Sequence, residues 1–357
     1  MTLIIAEAGV NHNGERDLAF KLVDIASSSG ADIVKFQTFN AKKLASKHAK
    51  KANYQLNNTD KAETQYQMLR RLELPHDLHF ELKEYCESLD IEFLSTAFDE
   101  DSLNFLVEDL KINRLKIPSG ELTNSPLVLA HAKTGLDIIL STGMASSDEI
   151  EEALGVIAFG YLCKNKDTEI PSKKHFREAF ISEEGQEILK SKVTLLHCTT
   201  EYPAPINEIN LRVLDSFEKN FNLKVGYSDH SEGITIPIAA AAKGAVIIEK
   251  HFTIDRNMDG PDHKASLEPL ELKEMIESIR CIELALGTSV KAPTLSELKN
   301  INIARKSIVA SKKISKGEKL TENNIAIKRP GDGIHPINYW DLIGTNAEKN
   351  YEEDDLI

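Results

Sequence analysis

Short apolar runs recur along most of the chain, and each ends in a cluster of polar residues. The sharpest is Ala245-Val-Ile-Ile-Glu-Lys-His-Phe-Thr, which begins without alternation, as a strand covered on both faces does, and stops at Glu249, Lys250 and His251. One unit earlier, Val225-Gly-Tyr-Ser-Asp-His repeats the pattern and puts His230 at the same kind of edge. Similar runs at Leu3–Ala6, Asp32–Phe39, Ile91–Asp99, Asn113–Glu121, Leu136–Met144 and Lys192–Pro203 predict the remaining strands. Helical periodicity lies between them. Leu18, Leu22, Val23 and Ile25 share one face of Arg16–Ser29, with Gly30 placed to cap it, and Ser146-Ser-Asp-Glu is a capping-box pattern. Further helices are predicted near Asp77–Leu89, Glu100–Leu110, after Pro126, and at Leu211–Asn220, Thr235–Lys243 and Glu268–Leu286. Eight strands alternating with eight helices over 1–287 predict a (β/α)8 TIM barrel. The regular polar break at every strand end favours that over an open doubly wound sheet.

Three stretches fall outside the repeat. Asn40–Arg70 is a polar excursion. Tyr161–Ser191 is a charged insertion, expected to form surface helices that pack down through Phe176, Phe180 and Ile188 and to carry no chemistry. Beyond Gly287, residues 288–304 read as a linker and 305–357 as a small β-rich domain, marginal in size for independent stability. The 357 residues carry a net charge of −13, which argues against a nucleic-acid partner and against an anionic membrane surface. An anionic substrate would need a locally basic pocket. Cys86, Cys163, Cys198 and Cys281 have no metal-type spacing and read as reduced thiols, so a cytoplasmic location is expected. The first apolar run is too short for a signal peptide, and no apolar stretch approaches a membrane span.

In a barrel the carboxyl ends of the strands converge on one pocket. Here they bring Glu7, Lys35, Gln37, Thr96, Lys116, Ser119, Glu121, Ser141, Thr142, Thr200, Tyr202, Ser228, His230, Glu249 and His251, with Asp262 from the last loop. Two lysines within apolar strands and several hydroxyls suit phosphate and carboxylate groups. Two histidines at adjacent strand ends suit one divalent metal that polarises a carbonyl, although each taken alone reads equally well as a hydrogen-bonded core histidine. Glu7 and Asp262 could move protons. For Ser141, Thr142 and Ser228, turn capping competes with ligand contact; His12, His197 and Cys198 read as packing or loop residues.

The same residues carry a resemblance. Glu7-Ala-Gly-Val-Asn-His-Asn-Gly, Val34-Lys-Phe-Gln-Thr-Phe, Lys116-Ile-Pro-Ser-Gly-Glu, Leu140-Ser-Thr-Gly-Met, Leu196-His-Cys-Thr-Thr-Glu-Tyr-Pro, Ser228-Asp-His, Glu249-Lys-His-Phe-Thr and Gly260-Pro-Asp-His resemble the sialic acid synthase (NeuB-type nonulosonate synthase) family. Lys328-Arg-Pro-Gly-Asp-Gly is similar to that family's C-terminal antifreeze-like (SAF) domain. The resemblance implies a phosphoenolpyruvate-dependent transferase that joins phosphoenolpyruvate to an N-acylated mannosamine-type sugar, releases phosphate and requires Mn2+ or Mg2+. By motif it implies His230 and His251 as metal ligands, with Glu7 beside them. Lys35, Thr96, Lys116, Ser119, Ser141 and Ser228 would hold phosphoenolpyruvate. Gln37, Glu121, Thr200, Tyr202 and Asp262 would hold the sugar, and Arg329 would reach it in trans within a domain-swapped homodimer. Thr200 departs from the Asn of some relatives. Ala97, where neuraminate-making members often have Pro, is more similar to the branch that makes N,N'-diacetyllegionaminate. N-acetylneuraminate synthesis is the alternative, followed by pseudaminate synthesis and a Schiff-base pyruvate aldolase using Lys116; a non-catalytic binding protein is disfavoured by the intact histidine pair and lysines.

Overall fold

The computed structural model describes residues 1–46, 48–60, 62–164 and 170–357. The chain divides into two compact units, Met1–Gly287 and Thr288–Ile357.

The first unit is a parallel barrel of β1 (Leu3–Gly9), β2 (Ile33–Thr38), β3 (Glu92–Ala97), β4 (Arg114–Ile117), β5 (Asp137–Ser141), β6 (Val193–His197), β7 (Lys224–Asp229) and β8 (Ile247–His251). The ladders run in the order β3-β2-β1-β8-β7-β6-β5-β4, and β3 and β4 lie side by side at the seam. The strands are buried along nearly their whole length because the lumen is packed on one side and helices cover the other, which is why their sequences do not alternate. The outer layer of core is built from helix faces such as Leu22, Val23 and Ala26 of Arg16–Ser29 and Leu272, Met275, Ile276 and Ile279 of Pro269–Leu286. Gly30 ends the first of these helices at φ 85°, in the left-handed region its cap position requires. Ser146 and Glu149 close a reciprocal capping box at the start of Ser147–Leu162. On the far side from the strand ends, Arg280 donates to Thr2 O and to Asp32 Oδ2, tying the last helix to β1 and β2.

The stretches outside the repeat are more ordered than their polarity suggests. The polar excursion leads through helices Ala41–Leu44, Asn53–Asn58 and Gln65–Leu72, the last of which closes a separate apolar cluster of Met68 and Leu72 with Val10 and Phe39. Two of its residues, 47 and 61, lie outside the described residues, as do 165–169 of the charged insertion. The insertion forms helices Lys173–Ile181 and Glu183–Lys192. Phe176 and Phe180 pack on the barrel core, but Leu189 takes the place expected of Ile188, which is only half-buried. The helix there starts at Glu183, and its phase brings Leu189 inward.

The second unit has an antiparallel pair, β9 (Ser307–Ala310) and β10 (Ile325–Lys328). Its small core contains Ile308, Ile314, Leu320, Ile325, Ala347 and Tyr351. Residues 288–304, read as a linker, include helix Leu295–Ala304, capped by Thr294 and Glu297. That helix has no buried residue.

Candidate active site

The strand ends of the barrel open into a cavity of about 400 Å3. Alternation decides which side chains enter it. On β8 Glu249 and His251 line the cavity while Lys250 faces the other way; at the end of β7 Ser228 and His230 line it and Asp229 does not. In register, Glu7 of β1 pairs with both Lys35 of β2 and His251 of β8. A bulge between Glu7 and Gly9 then turns the chain at φ 53°, and a Cβ on Gly9 would press within 3.4 Å of Gln37, Glu7 and His251. Glycine is therefore the residue that lets the first loop pass so close to the site.

The cavity floor is a buried network of charges. Lys35 Nζ lies 2.7 Å from Glu7 Oε2 and 3.5 Å from Glu249 Oε2, and donates to Thr96 Oγ1 at 3.1 Å. Lys116 Nζ lies 3.3 Å from Glu249 Oε1, which also accepts from Ser228 Oγ at 2.8 Å. Gln37 Nε2 donates to Glu7 Oε1 at 3.4 Å. Burial pushes the Glu7 carboxyl up to about 7 against the pull of Lys35. Burial acts in the same sense on Glu249, but Lys116, Lys35 and the Ser228 hydrogen bond outweigh it and hold that carboxyl well below its ordinary range. The lysines also diverge. Burial lowers Lys116 more than Glu249 raises it, whereas for Lys35 the same burial is outweighed by Glu249 and Glu7 together, which hold it above its ordinary value. Two carboxylates of unlike proton affinity, within reach of a strong and a weakened ammonium, are the material of an anion site with a built-in proton carrier. Ser141 Oγ is buried in the cavity with no partner among the described residues, a donor still to be used.

The two histidines stand over this floor with ring centroids 5.6 Å apart. His230 Nδ1 is 2.6 Å from the Thr199 carbonyl, so it must carry the proton, which leaves Nε2 with a free lone pair. His251 Nδ1 is buried without a partner among the described residues. Burial, aided by His230 and Lys35, drives His251 well below the usual imidazole range, and burial lowers His230 as well. Two neutral imidazoles facing one space, one of them oriented by a carbonyl behind it, fit a divalent cation. No group of three or more His, Cys, Asp or Glu suited to a metal occurs among the described residues, so other ligands would come from substrate oxygens and water.

The upper cavity is aromatic and apolar. Tyr202 packs on His230 at 4.2 Å between centroids and on Tyr54 at 4.9 Å. Asp262 is buried without a charged partner among the described residues, and burial raises it to about 6. Glu121 Oε2 accepts from Asn124 Nδ2 at 2.7 Å, and Glu121 and Thr200 also line the cavity.

Every barrel residue read from sequence as a site candidate thus lines one cavity, except Thr142, whose hydroxyl donates across to Leu196 O of β6 and extends the ladder rather than capping a turn. Arg329 belongs to the second unit, where it is exposed and Nε donates to Ala304 O. Cys198, expected to be a packing residue, lines the cavity instead; its Sγ accepts from Gly143 N at 3.1 Å and lies 3.1 Å from Ser119 Oγ. Alternation explains this, since His197 before it turns outward to Ile209 O. Sequence reasoning collected Glu249 without giving it a role, and it missed Tyr54, Gln55 and the apolar wall of Val10, Leu44, Met68, Leu69, Leu72 and Phe98. The one signal available was an aromatic and several leucines inside a polar excursion.

Comparison with known proteins agrees with this geometry. The chain matches the NeuB family over residues 22–291 and the SAF domain over residues 305–357. It is 52% identical over 356 residues to the N,N'-diacetyllegionaminic acid synthase of Campylobacter jejuni subsp. jejuni serotype O:2, covering 100% of this chain and 98% of that protein. The enzyme of the same name from Legionella pneumophila is 42% identical, with 97% of this chain and 90% of that one covered. Among solved structures, the N-acetylneuraminic acid synthetase of Leptospira borgpetersenii serovar Hardjo-bovis in complex with citrate superposes with a TM-score of 0.67 at 33% identity, over 84% of this chain and 90% of that one. With charged floor, histidine pair and both sequence units accounted for, the chain belongs to the NeuB family and ends in a SAF domain.

Proposed function

We propose that the protein is an N,N'-diacetyllegionaminate synthase, condensing phosphoenolpyruvate with 2,4-diacetamido-2,4,6-trideoxymannose and releasing phosphate. The observation that carries the reading is the two-faced cavity: a buried floor of Lys35, Lys116, Glu7 and Glu249 under an apolar wall that includes Leu44, Leu69 and Phe98. The floor suits a small trianion. The wall suits a sugar with a methyl group where N-acetylmannosamine has a hydroxymethyl. Lys35 and Lys116 hold the carboxylate and phosphate, and the hydroxyls of Thr96, Ser119, Ser141 and Ser228 complete the cradle. Gln37, Glu121, Thr200, Tyr202 and Asp262 hold the open-chain sugar. A Mn2+ or Mg2+ ion on His230 and His251 would supply the Lewis acidity that makes the aldehyde carbon electrophilic. The bond from C3 of phosphoenolpyruvate to the aldehyde carbon forms as both π bonds open, leaving a cation at C2 and an alkoxide; water adds at C2, the proton it sheds neutralises the alkoxide, and the tetrahedral intermediate loses its C2 hydroxyl proton as the C2–O bond to phosphate breaks. Glu7, with its raised proton affinity, takes the proton of that water.

The test is phosphate release from phosphoenolpyruvate with Mn2+, comparing the trideoxy sugar with N-acetylmannosamine. The expected preference for the trideoxy sugar is about 10- to 200-fold in kcat/KM, the range for small differences in an apolar pocket. The opposite preference makes the protein a neuraminate synthase, and no release with either sugar overturns the sugar assignment.

The second unit exposes Leu295, Ile303, Ile337 and Trp340, the last 72% accessible, together with Arg329. An uncovered apolar surface on so small a unit suits a homodimer in which Arg329 reaches the sugar site of the partner subunit. Arg329→Ala is expected to raise KM for the sugar and leave that for phosphoenolpyruvate unchanged. Mixing it with His251→Ala should recover activity, and no recovery after demonstrated subunit exchange would count against action in trans.

A further inference from the structure

Lys250 is among the largest fully buried side chains in the chain, and it stands on the face of β8 turned away from the cavity. Its Nζ lies 2.6 Å from Asp229 Oδ2 and also donates to Ser231 O. Asp229 Oδ1 accepts from Tyr227 OH at 3.1 Å and from Ser231 N at 3.0 Å, and Oδ2 accepts from Ser231 Oγ at 3.0 Å. Both side chains have 0% accessibility. A buried ion pair is a weak source of net stability, because desolvating two charges offsets most of their attraction. Its position suggests what else it does. The β7–β8 ladder ends with Asp229 opposite Lys250, and the next residue on each strand is one of the two histidines. His230 is fixed from the β6 side, where its ring donates to Thr199 O and its carbonyl accepts from Ala204 N at 2.9 Å. His251 is fixed from the β1 side, in register with Glu7. Toward each other, the two histidine backbones are held by the Lys250 bridge, which grips Asp229 and reaches over to the Ser231 carbonyl on the far side of His230.

We infer that Lys250 and Asp229 are positioning residues that set the separation of the His230 and His251 imidazoles and so tune divalent-cation binding. The inference rests on the reading that these histidines hold such a cation. Binding would weaken without the pair even when the fold is intact, because each imidazole keeps its chemistry but loses its fixed distance from the other.

The experiment measures Mn2+ binding to the full-length protein, from the loss of the free-Mn2+ electron paramagnetic resonance signal, beside the melting temperature. The proteins are the wild type, His251→Ala, Asp229→Asn and the double variant Asp229→Asn/Lys250→Met. The double variant leaves no unpaired buried charge, so its melting temperature should exceed that of Asp229→Asn, while its Mn2+ Kd should stay about 10- to 100-fold weaker than the wild type's, as for other groups that orient metal ligands. Asp229→Asn is nearly isosteric and serves as the second folded variant, with the same expected weakening. Wild-type Mn2+ affinity in either folded variant overturns the positioning role and leaves the metal reading intact. Failure of the wild type to bind Mn2+, or wild-type affinity in His251→Ala, overturns the metal reading and the inference with it.

Discussion

His251→Ala is expected to lower kcat with Mn2+ by more than about 100-fold while the protein remains folded, since a cation held there, as proposed, would supply several kcal/mol of transition-state charge stabilisation at about tenfold per 1.4 kcal/mol. Burial holds the imidazole well below its ordinary range and its Nδ1 has no partner among the described residues, so truncation strands no buried charge. The floor proposed to hold phosphoenolpyruvate should survive, because Lys35 and Lys116 take their partners from Glu7, Glu249 and Thr96 rather than from His251. Phosphoenolpyruvate affinity, read by calorimetry, should therefore change little while turnover collapses. Near-normal turnover in this variant would sink the assignment of His251 to the cation.

Glu7→Gln carries the second large effect. Glu7 sits at about 7 because burial favours its neutral form, and only the carboxylate can take a proton from water. The sign follows directly: kcat/KM should rise with pH through about 7 as the carboxylate forms. It should fall again at alkaline pH as Lys116, which burial holds below its ordinary value, loses the charge proposed to bind the anion. Glutamine preserves the shape and can still face Gln37, and Lys35 keeps Glu249 at 3.5 Å. The expected outcome is a loss of about 100- to 10,000-fold at the optimum, with the acid limb gone. A variant that keeps the acid limb would move the proton-carrying role to another carboxyl, with Asp262, at about 6, the first candidate.

Much of this architecture was legible in local sequence. An unbroken apolar run that halts at Glu249 and His251 already states that β8 is covered on both faces and that its end is polar. The Ser146 capping box and the Gly30 cap are local rules as well, and the structure places both where the pattern puts them. The excursion was less legible because its apolar residues answer to a cluster made with Phe39 at its edge and with Val10, remote along the chain, rather than to a period within one element. Cys198 was misjudged because its parity depends on where β6 ends, and strand ends are the least certain feature of any sequence reading.

The sequence by itself determined which residues could meet at the strand ends, because period-2 alternation and the barrel's convergence are set by short-range patterns. Only the tertiary structure decided how those residues divide the work. Glu7 and Glu249 are the same amino acid on neighbouring strands, yet one is raised to about 7 and the other is pulled far below its ordinary range. The difference comes from Lys116 and Ser228, which lie against Glu249 and not against Glu7. Proton affinity in a buried site follows from distances of a few ångströms between residues remote in sequence, and those distances come into being only when the barrel closes.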